Sequence, residues 1–189
     1  MNPLLHYRDQ FCINNSYLRF SYSCRIILQV IEMGKKTNAV RLVAQHGFNC
    51  KEAFYEYDEN DLNGMHAAEA MNLPPEQVFK TLVARGSKNG ICVFCIPVCC
   101  ELDLKLAAKA AGDKSIALIP VKELLDITGY IRGGCSPIGM KKQYPTYVDE
   151  TCQLFEEIAV SAGERGHQML LSPDAIIAIT NAKIVEIIA

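Results

Sequence analysis

No uninterrupted apolar run in the 189 residues approaches the ~18 that a helix needs to cross a bilayer, which argues against a membrane-embedded chain. Strong charge of one sign is missing too. The 19 basic and 21 acidic side chains leave a net charge of -2, so a nucleic acid must be held by a local patch rather than by a field over the whole surface. Internal repeats and low-complexity tracts are absent, which excludes solenoids and long linkers. No Ser-His-Asp or Cys-His set is recognisable. His46, His66 and His167 fall on helices or near turns and read as ordinary.

Cysteine, by contrast, is abundant, with nine residues. The only early apolar stretch, IILQVI at 26–31, has a weak basic start and no small-residue cleavage pattern. The thiols therefore point to a reducing compartment, the cytoplasm. CVFCIPVCC holds Cys92, Cys95, Cys99 and Cys100, and a Cys-x-x-Cys pair can bind zinc or do redox work. On a strand, however, positions i and i+3 point to opposite faces, and no second pair follows at zinc-finger spacing. Free cysteine also packs well as a small apolar residue. Neither a metal nor a cofactor is expected.

A chain of this length suits one domain with a proper core. Its patterning becomes regular near Met33. Residues 1–32 are expected to be an upstream extension, docked loosely or disordered, with Met33 a real or alternative start and 33–189 the folded domain. Thr37 can cap a helix carrying Ala39, Val40, Leu42 and Val43, which Gly47 ends. Beyond it, KEAFYEYD (51–58) reads as a strand and GMHAAEAMN (64–72) as a helix. VFKTLVA and GICVFCIPV are strands joined by the turn RGSKNG. ELDLKLAAKAAG and VKELLDITG are helices around the strand SIALIP. FEEIAVSAG and HQMLLSP are further strands. Ser172, Pro173 and Asp174 then open a last helix. The fold class predicted is a mixed α/β arrangement in one domain.

Three stretches carry candidate chemistry. In VFKTLVA, Lys80 shares a largely apolar strand with Phe79, Thr81 and Leu82. A lysine is rarely buried alone. It either snorkels to solvent, pairs with a buried carboxylate, or lines a cavity for something anionic or oxygen-rich. The loop TGYIRGGCSPIGMKK (128–142) combines Gly129, Gly133, Gly134 and Gly139 with Pro137. Such a loop can turn several N–H groups toward one oxygen, and Arg132, Lys141 and Lys142 suit phosphates. Its other reading is a structural turn. VSAGERG (160–166) offers Ser161 and Arg165 in what can equally be a plain hairpin.

Taken in order, YEYD, LPPEQVFKTLVA, IPV…ELDLKLAAKAAG, TGYIRGGCSPIGMKK and VSAGERG resemble the YbaK/EbsC proteins, the Cys-tRNA(Pro) deacylases related to the editing domain of bacterial prolyl-tRNA synthetases. The resemblance runs from about Lys35 to the C-terminus. It implies an α+β domain with a mixed, barrel-like sheet flanked by helices, and a cleft for the aminoacylated 3′ end of tRNA. By motif, Lys80 and Gly133 take the catalytic positions. Tyr55, Thr81, Gly134, Ser136, Pro137 and Ser161 take substrate-binding ones. Two positions depart from the family pattern: Asn63 stands where a phenylalanine is expected and Gln168 where an aspartate is expected.

The implied chemistry is substrate-assisted: the cysteinyl thiol attacks its own ester carbon and leaves as a cyclic thioester. The 133–137 loop would hold the aminoacyl group, and Lys80 would bind ribose or phosphate oxygens. The implied partners are the acceptor end of Cys-tRNA(Pro), or Cys-tRNA(Cys), and prolyl-tRNA synthetase, with neither DNA nor a membrane. Other readings are a deacylase for another small amino acid such as alanine, and a non-catalytic tRNA- or synthetase-binding module. All of this requires Lys80 and the glycine loop to share one hollow.

Overall fold

The computed structural model describes residues 36–59 and 62–189. The expectations for residues 1–32 and for a start at Met33 lie outside the described residues.

Helix α1 (Asn38–Gln45) forms where the sequence signals it: Thr37 Oγ1 accepts from Val40 N at 3.2 Å, and Gly47 ends the helix with φ +78. It buries Ala39, Val40 and Val43. Strand β1 (Lys51–Phe54) is shorter than the predicted 51–58, and the chain then turns irregularly past Tyr55 and Tyr57. Helix α2 (Gly64–Met71) is capped by Asn63, whose side chain accepts from Met65 N at 3.1 Å.

Strands β2 (Phe79–Gly86) and β3 (Gly90–Pro97) make an antiparallel hairpin in continuous register, with Phe79 opposite Pro97 and Gly86 opposite Gly90. Asp113 ties down its tight turn. One carboxylate oxygen accepts from Lys88 N and Asn89 N, and the other from Ser87 Oγ. These bonds, with Asn89 N first, hold the carboxyl well below the usual aspartate range. Then follow α3 (Leu104–Ala110), β4 (Ile116–Leu118), α4 (Val121–Thr128), β5 (Thr146–Asp149), β6 (Ile158–Glu164), β7 (His167–Leu171), α5 (Pro173–Thr180) and β8 (Lys183–Val185).

Mixed α+β content in one domain is what the sequence predicts, and the sheet arrangement refines it. Among the described residues the strands form a three-stranded sheet in the order β1-β7-β6 and a five-stranded sheet in the order β4-β2-β3-β5-β8. They meet at a single parallel bridge, Val78 to Ala159, and do not close into a barrel. The reason lies on β2. Its outer edge pairs with β4 only from Ala84 to Gly86 and meets β6 only at the Val78 bridge, so among the described residues Phe79–Leu82 has no ladder partner on that side.

The main core fills the space between the sheets. Ile158, Val160, Met169 and Leu171 of the small sheet pack against Phe79, Cys95 and Val148 of the large one, with α1 and α5 alongside. The opposite face of the large sheet, with Cys92, Phe94 and Ile96, is covered by Ala107 and Ala108 of α3. Cys92 and Cys95 therefore enter different cores, as the strand geometry requires.

Candidate functional site

The uncovered edge of β2 is one wall of a cavity of about 540 Å³. Every residue from Val78 to Leu82 lines it. The facing walls come from the Tyr55–Tyr57 stretch, the start of α2, the glycine loop at Arg132, Gly133 and Cys135, and the β6–β7 hairpin with Ser161, Arg165, Gly166 and Gln168. Lys80 and the glycine loop thus share one hollow, joined by Tyr55, Thr81 and Ser161.

Lys80 resolves its three readings in an intermediate way. Its side chain is 25% exposed and its Nζ donates to Glu101 Oε1 at 3.0 Å. Glu101 is 84% exposed, so the partner is a surface carboxylate and not a buried one. Pairs with such an exposed member are worth about 0–1 kcal/mol. An incoming phosphate or ribose oxygen can replace the carboxylate at little cost.

The glycine loop divides into two parts. Gly133 is exposed and turns the chain with φ +85, and a Cβ there would lie 3.1 Å from Leu62 Cδ2. From Gly134 to Ile138 the chain is buried. Gly134 packs on the β6–β7 turn, where a Cβ would meet Glu164 C at 3.0 Å and Arg165 N at 3.1 Å. Ser136 is fully buried and its hydroxyl accepts from Ile138 N at 3.2 Å. Pro137 lines a separate cavity of about 260 Å³ with Met140, Tyr144 and Ile179. Of the loop residues proposed from sequence, Gly133 faces the main cavity, while Gly134, Ser136 and Pro137 lie behind it and fix its shape.

The hairpin wall depends on a bulge. The β6–β7 register shifts between Ser161 and Glu164. Ser161 Oγ accepts from Gly163 N at 3.2 Å. Gly163 takes φ +105 against the Tyr130 ring. Arg165 then clamps hairpin to loop: its Nε donates to Arg132 O at 3.1 Å and its Nη1 to Glu59 Oε1 at 3.0 Å.

Three cationic side chains, Lys80, Arg132 and Arg165, line the cavity, and among the described lining residues there is no aspartate or glutamate. The site therefore favours an anion or an electron-rich oxygen. Two polar atoms along the wall close no hydrogen bond of normal geometry although shut off from solvent: Thr81 Oγ1 and Gln168 Oε1. Gln168 Nε2 donates to Tyr55 Oη at 3.4 Å, so its carbonyl is unspent. Being closed to solvent, neither atom is reached by a ligand without a side-chain rotation, and Thr81 also interacts with the Cys95 thiol.

Nucleophilic chemistry by the protein finds little support here. The Cys135 thiol lines the cavity, but burial pushes it up to about 12, so it stays protonated near neutrality. His66, read as ordinary from sequence, also lines the cavity. Its ring nitrogen Nε2 lies 3.2 Å from Glu56 O. Its helical context gave no signal for this placement, which arises because α2 closes over the β2 edge.

A family model described as aminoacyl-tRNA editing domain matches residues 65–179. The chain is 48% identical over 153 residues to an Enterococcus faecalis protein named "Putative Cys-tRNA(Pro)/Cys-tRNA(Cys) deacylase EbsC", spanning 81% of this chain and 93% of that one. It is 25% identical over 118 residues to the Bacillus subtilis "Uncharacterized protein YwhH". Among solved structures, "Crystal structure of a putative trans-editing enzyme for prolyl tRNA synthetase" superposes with a TM-score of 0.68 at 23% identity, over 80% of this chain and 92% of the other. "Crystal structure of hypothetical protein APE2540" gives 0.73 at 18% identity, over 80% and 99%. At these identities the structural likenesses speak to the fold.

Proposed function

Since the chain belongs to the aminoacyl-tRNA editing domain family, we propose that it is a trans-editing deacylase that removes cysteine from mischarged Cys-tRNA(Pro) in the cytoplasm, in concert with prolyl-tRNA synthetase. The observation that carries this reading is the meeting of Lys80 and Gly133 in one cation-lined cavity, with Tyr55, Thr81 and Ser161 around it.

An aminoacyl ester is already activated, so positioning and charge stabilisation suffice. The proposed step needs no protein nucleophile. The cysteinyl sulfur bonds to its own carbonyl carbon, the bond to the ribose oxygen breaks, and the thiol proton ends on that oxygen. The products are a cyclic thioester and the free tRNA end. Lys80, released from Glu101, binds ribose or phosphate oxygens of the terminal adenosine. Gly133 leaves the wall open for the acyl group where a side chain would meet Leu62. Tyr55, Thr81 and Ser161 supply hydrogen bonds, and the buried Gly134, Ser136 and Pro137 hold the loop in place. The domain is taken to begin at Met33, with residues 1–32 an upstream extension.

The test compares hydrolysis of Cys-, Ala- and Ser-charged tRNA(Pro). Cysteine should be released fastest. Equal release of alanine, which has no thiol, would overturn substrate assistance and favour a water-attacking deacylase for small amino acids. Release of none would reduce the protein to a binding module.

A further inference from the structure

Two adjacent thiols, Cys99 and Cys100, have no part in the deacylation reading. They sit in the turn after β3, where Cys100 N donates to Pro97 O at 3.1 Å. Their sulfur atoms are 3.7 Å apart. Cys99 is exposed and Cys100 is half-buried, whereas Cys92, Cys95, Cys135 and Cys152 are buried. The turn adjoins the cavity wall. Val98, just before the pair, lines the cavity, and Glu101, just after, holds Lys80. Cys100 also feels the Lys80 ammonium electrostatically.

We propose that Cys99 and Cys100 form a dithiol site that reacts with low-molecular-weight disulfides and closes reversibly to a vicinal disulfide beside the cavity. The Cys99 thiolate attacks one sulfur of the small disulfide. That S–S bond breaks, a first small thiolate leaves and takes up a proton, and a mixed disulfide remains on Cys99. Cys100 then loses its proton and attacks the Cys99 sulfur, expelling a second small thiol. In balance, two protein thiols are oxidised to one disulfide and the small disulfide is reduced to two thiols.

Exposure sets the order of attack. Cys99 meets the reagent, while the half-buried Cys100, its sulfur 3.7 Å away, is placed for the second, intramolecular step. Reversibility follows from geometry. Neighbouring Cα atoms are about 3.8 Å apart, shorter than the ~4.4–6.8 Å usual for a disulfide, so the closed pair is strained. Strained disulfides are the readily reduced, labile ones. Closing a small ring through the 99–100 peptide distorts that peptide and draws the next residue, Glu101, away from Lys80. This link to Lys80 rests on the deacylation reading; the thiol chemistry does not.

The experiment uses the full chain, reduced, freed of reductant and incubated with cystine. Peptide mass mapping should show the segment holding both residues lighter by two hydrogens, and dithiothreitol should restore it. Cys100→Ser should stop at a half-cystine adduct on Cys99, and Cys99→Ser should not close. A wild-type adduct at Cys99 that never closes, or oxidation confined to other cysteines, would overturn the site. In parallel, deacylation of Cys-tRNA(Pro) should rise by up to several-fold on closure, because Glu101 no longer competes for Lys80, and return to its starting rate on reduction in the wild type, but not change in Cys99→Ser. Closure without any change in rate would overturn the link to Lys80, whereas no deacylation by the reduced enzyme would fail the proposed function and leave the thiol result standing.

Discussion

Lys80, in the cavity wall, and Glu101, outside its lining, meet at 3.0 Å, the lysine side chain 25% exposed and the carboxylate 84% exposed. Such an ion pair contributes little to stability, so its two members should behave differently when altered. Lys80→Ala should lower kcat/KM for Cys-tRNA(Pro) about 10²–10³-fold, the typical loss for one positioned donor. The melting temperature should barely move. Glu101→Gln frees the ammonium and should leave activity equal or higher, with stability within about 0.5 kcal/mol. Deacylation kinetics beside thermal melts check both, and retained turnover in Lys80→Ala would refute the role.

Gly133 joins a backbone demand to a spatial one. Its φ of +85 is left-handed, and the hydrogen facing Leu62 is where a Cβ would crowd that side chain at 3.1 Å. Gly133→Ala should cost about 1–2 kcal/mol for the conformation alone. It should also reduce deacylation, because the added methyl stands in the wall of the cavity. Ser136→Ala, behind the loop, removes the acceptor for Ile138 N and should cost about 1 kcal/mol, with a smaller effect on rate. Equal kinetic losses in the two variants would mean that Gly133 only shapes the loop.

Cys135→Ser separates packing from chemistry. Its thiol, pushed up to about 12 by burial, is a poor nucleophile at neutral pH. Deacylation should persist within a few-fold. Abolition of activity in a variant that still melts cooperatively would point to covalent catalysis at this position.

The same burial predicts alkaline sensitivity. Cys95 and Cys135 are both pushed up to about 12, against ~8.5 for a free thiol. Between these limits the unfolded chain has released protons that the folded chain keeps, so stability is full below about pH 8.5 and falls as pH rises toward 12. The slope is on the order of 1.4 kcal/mol per pH unit for each thiol. Denaturant melts from pH 8 to pH 10 should show the fall, and Cys135→Ser should flatten it. A wild-type stability independent of pH over that range would contradict the burial of these groups.

Much of the fold was legible because the signals were local. Thr37, Ser172, Pro173 and the positive-φ glycines Gly47, Gly112 and Gly129 fix helix ends within a few residues of themselves. Strands β5 and β8 were missed. They are only four and three residues long, and both pair in parallel with partners far along the chain. Thr146–Asp149 is buried throughout even though it ends in an aspartate. Asp149 is tolerated because it accepts from Thr151 N, Thr151 Oγ1 and Ile187 N, and the last of these depends on tertiary structure. For the site, the types of residue at Lys80, Gly133 and Ser161 were readable. The exposed partner of Lys80, the lining role of His66 and the concealment of Ser136 and Pro137 were not, because each arises where distant segments meet.

Arg165 offers the sharpest division between charge and geometry. Its planar head donates to Arg132 O at 3.1 Å and Glu59 Oε1 at 3.0 Å, joining the β6–β7 turn to the glycine loop while it lines the cavity. A lysine can supply the charge but not the forked donation. If Arg165 also neutralises a phosphate of the single-stranded acceptor end, Arg165→Ala should reduce the slope of log kcat/KM against log salt by about 0.7. Arg165→Lys should keep the slope of the wild type, yet lower kcat/KM at every salt concentration because the loop loses its tie. An unchanged slope in Arg165→Ala would restrict the residue to holding the loop, and the phosphate contacts would then fall to Lys80 and Arg132.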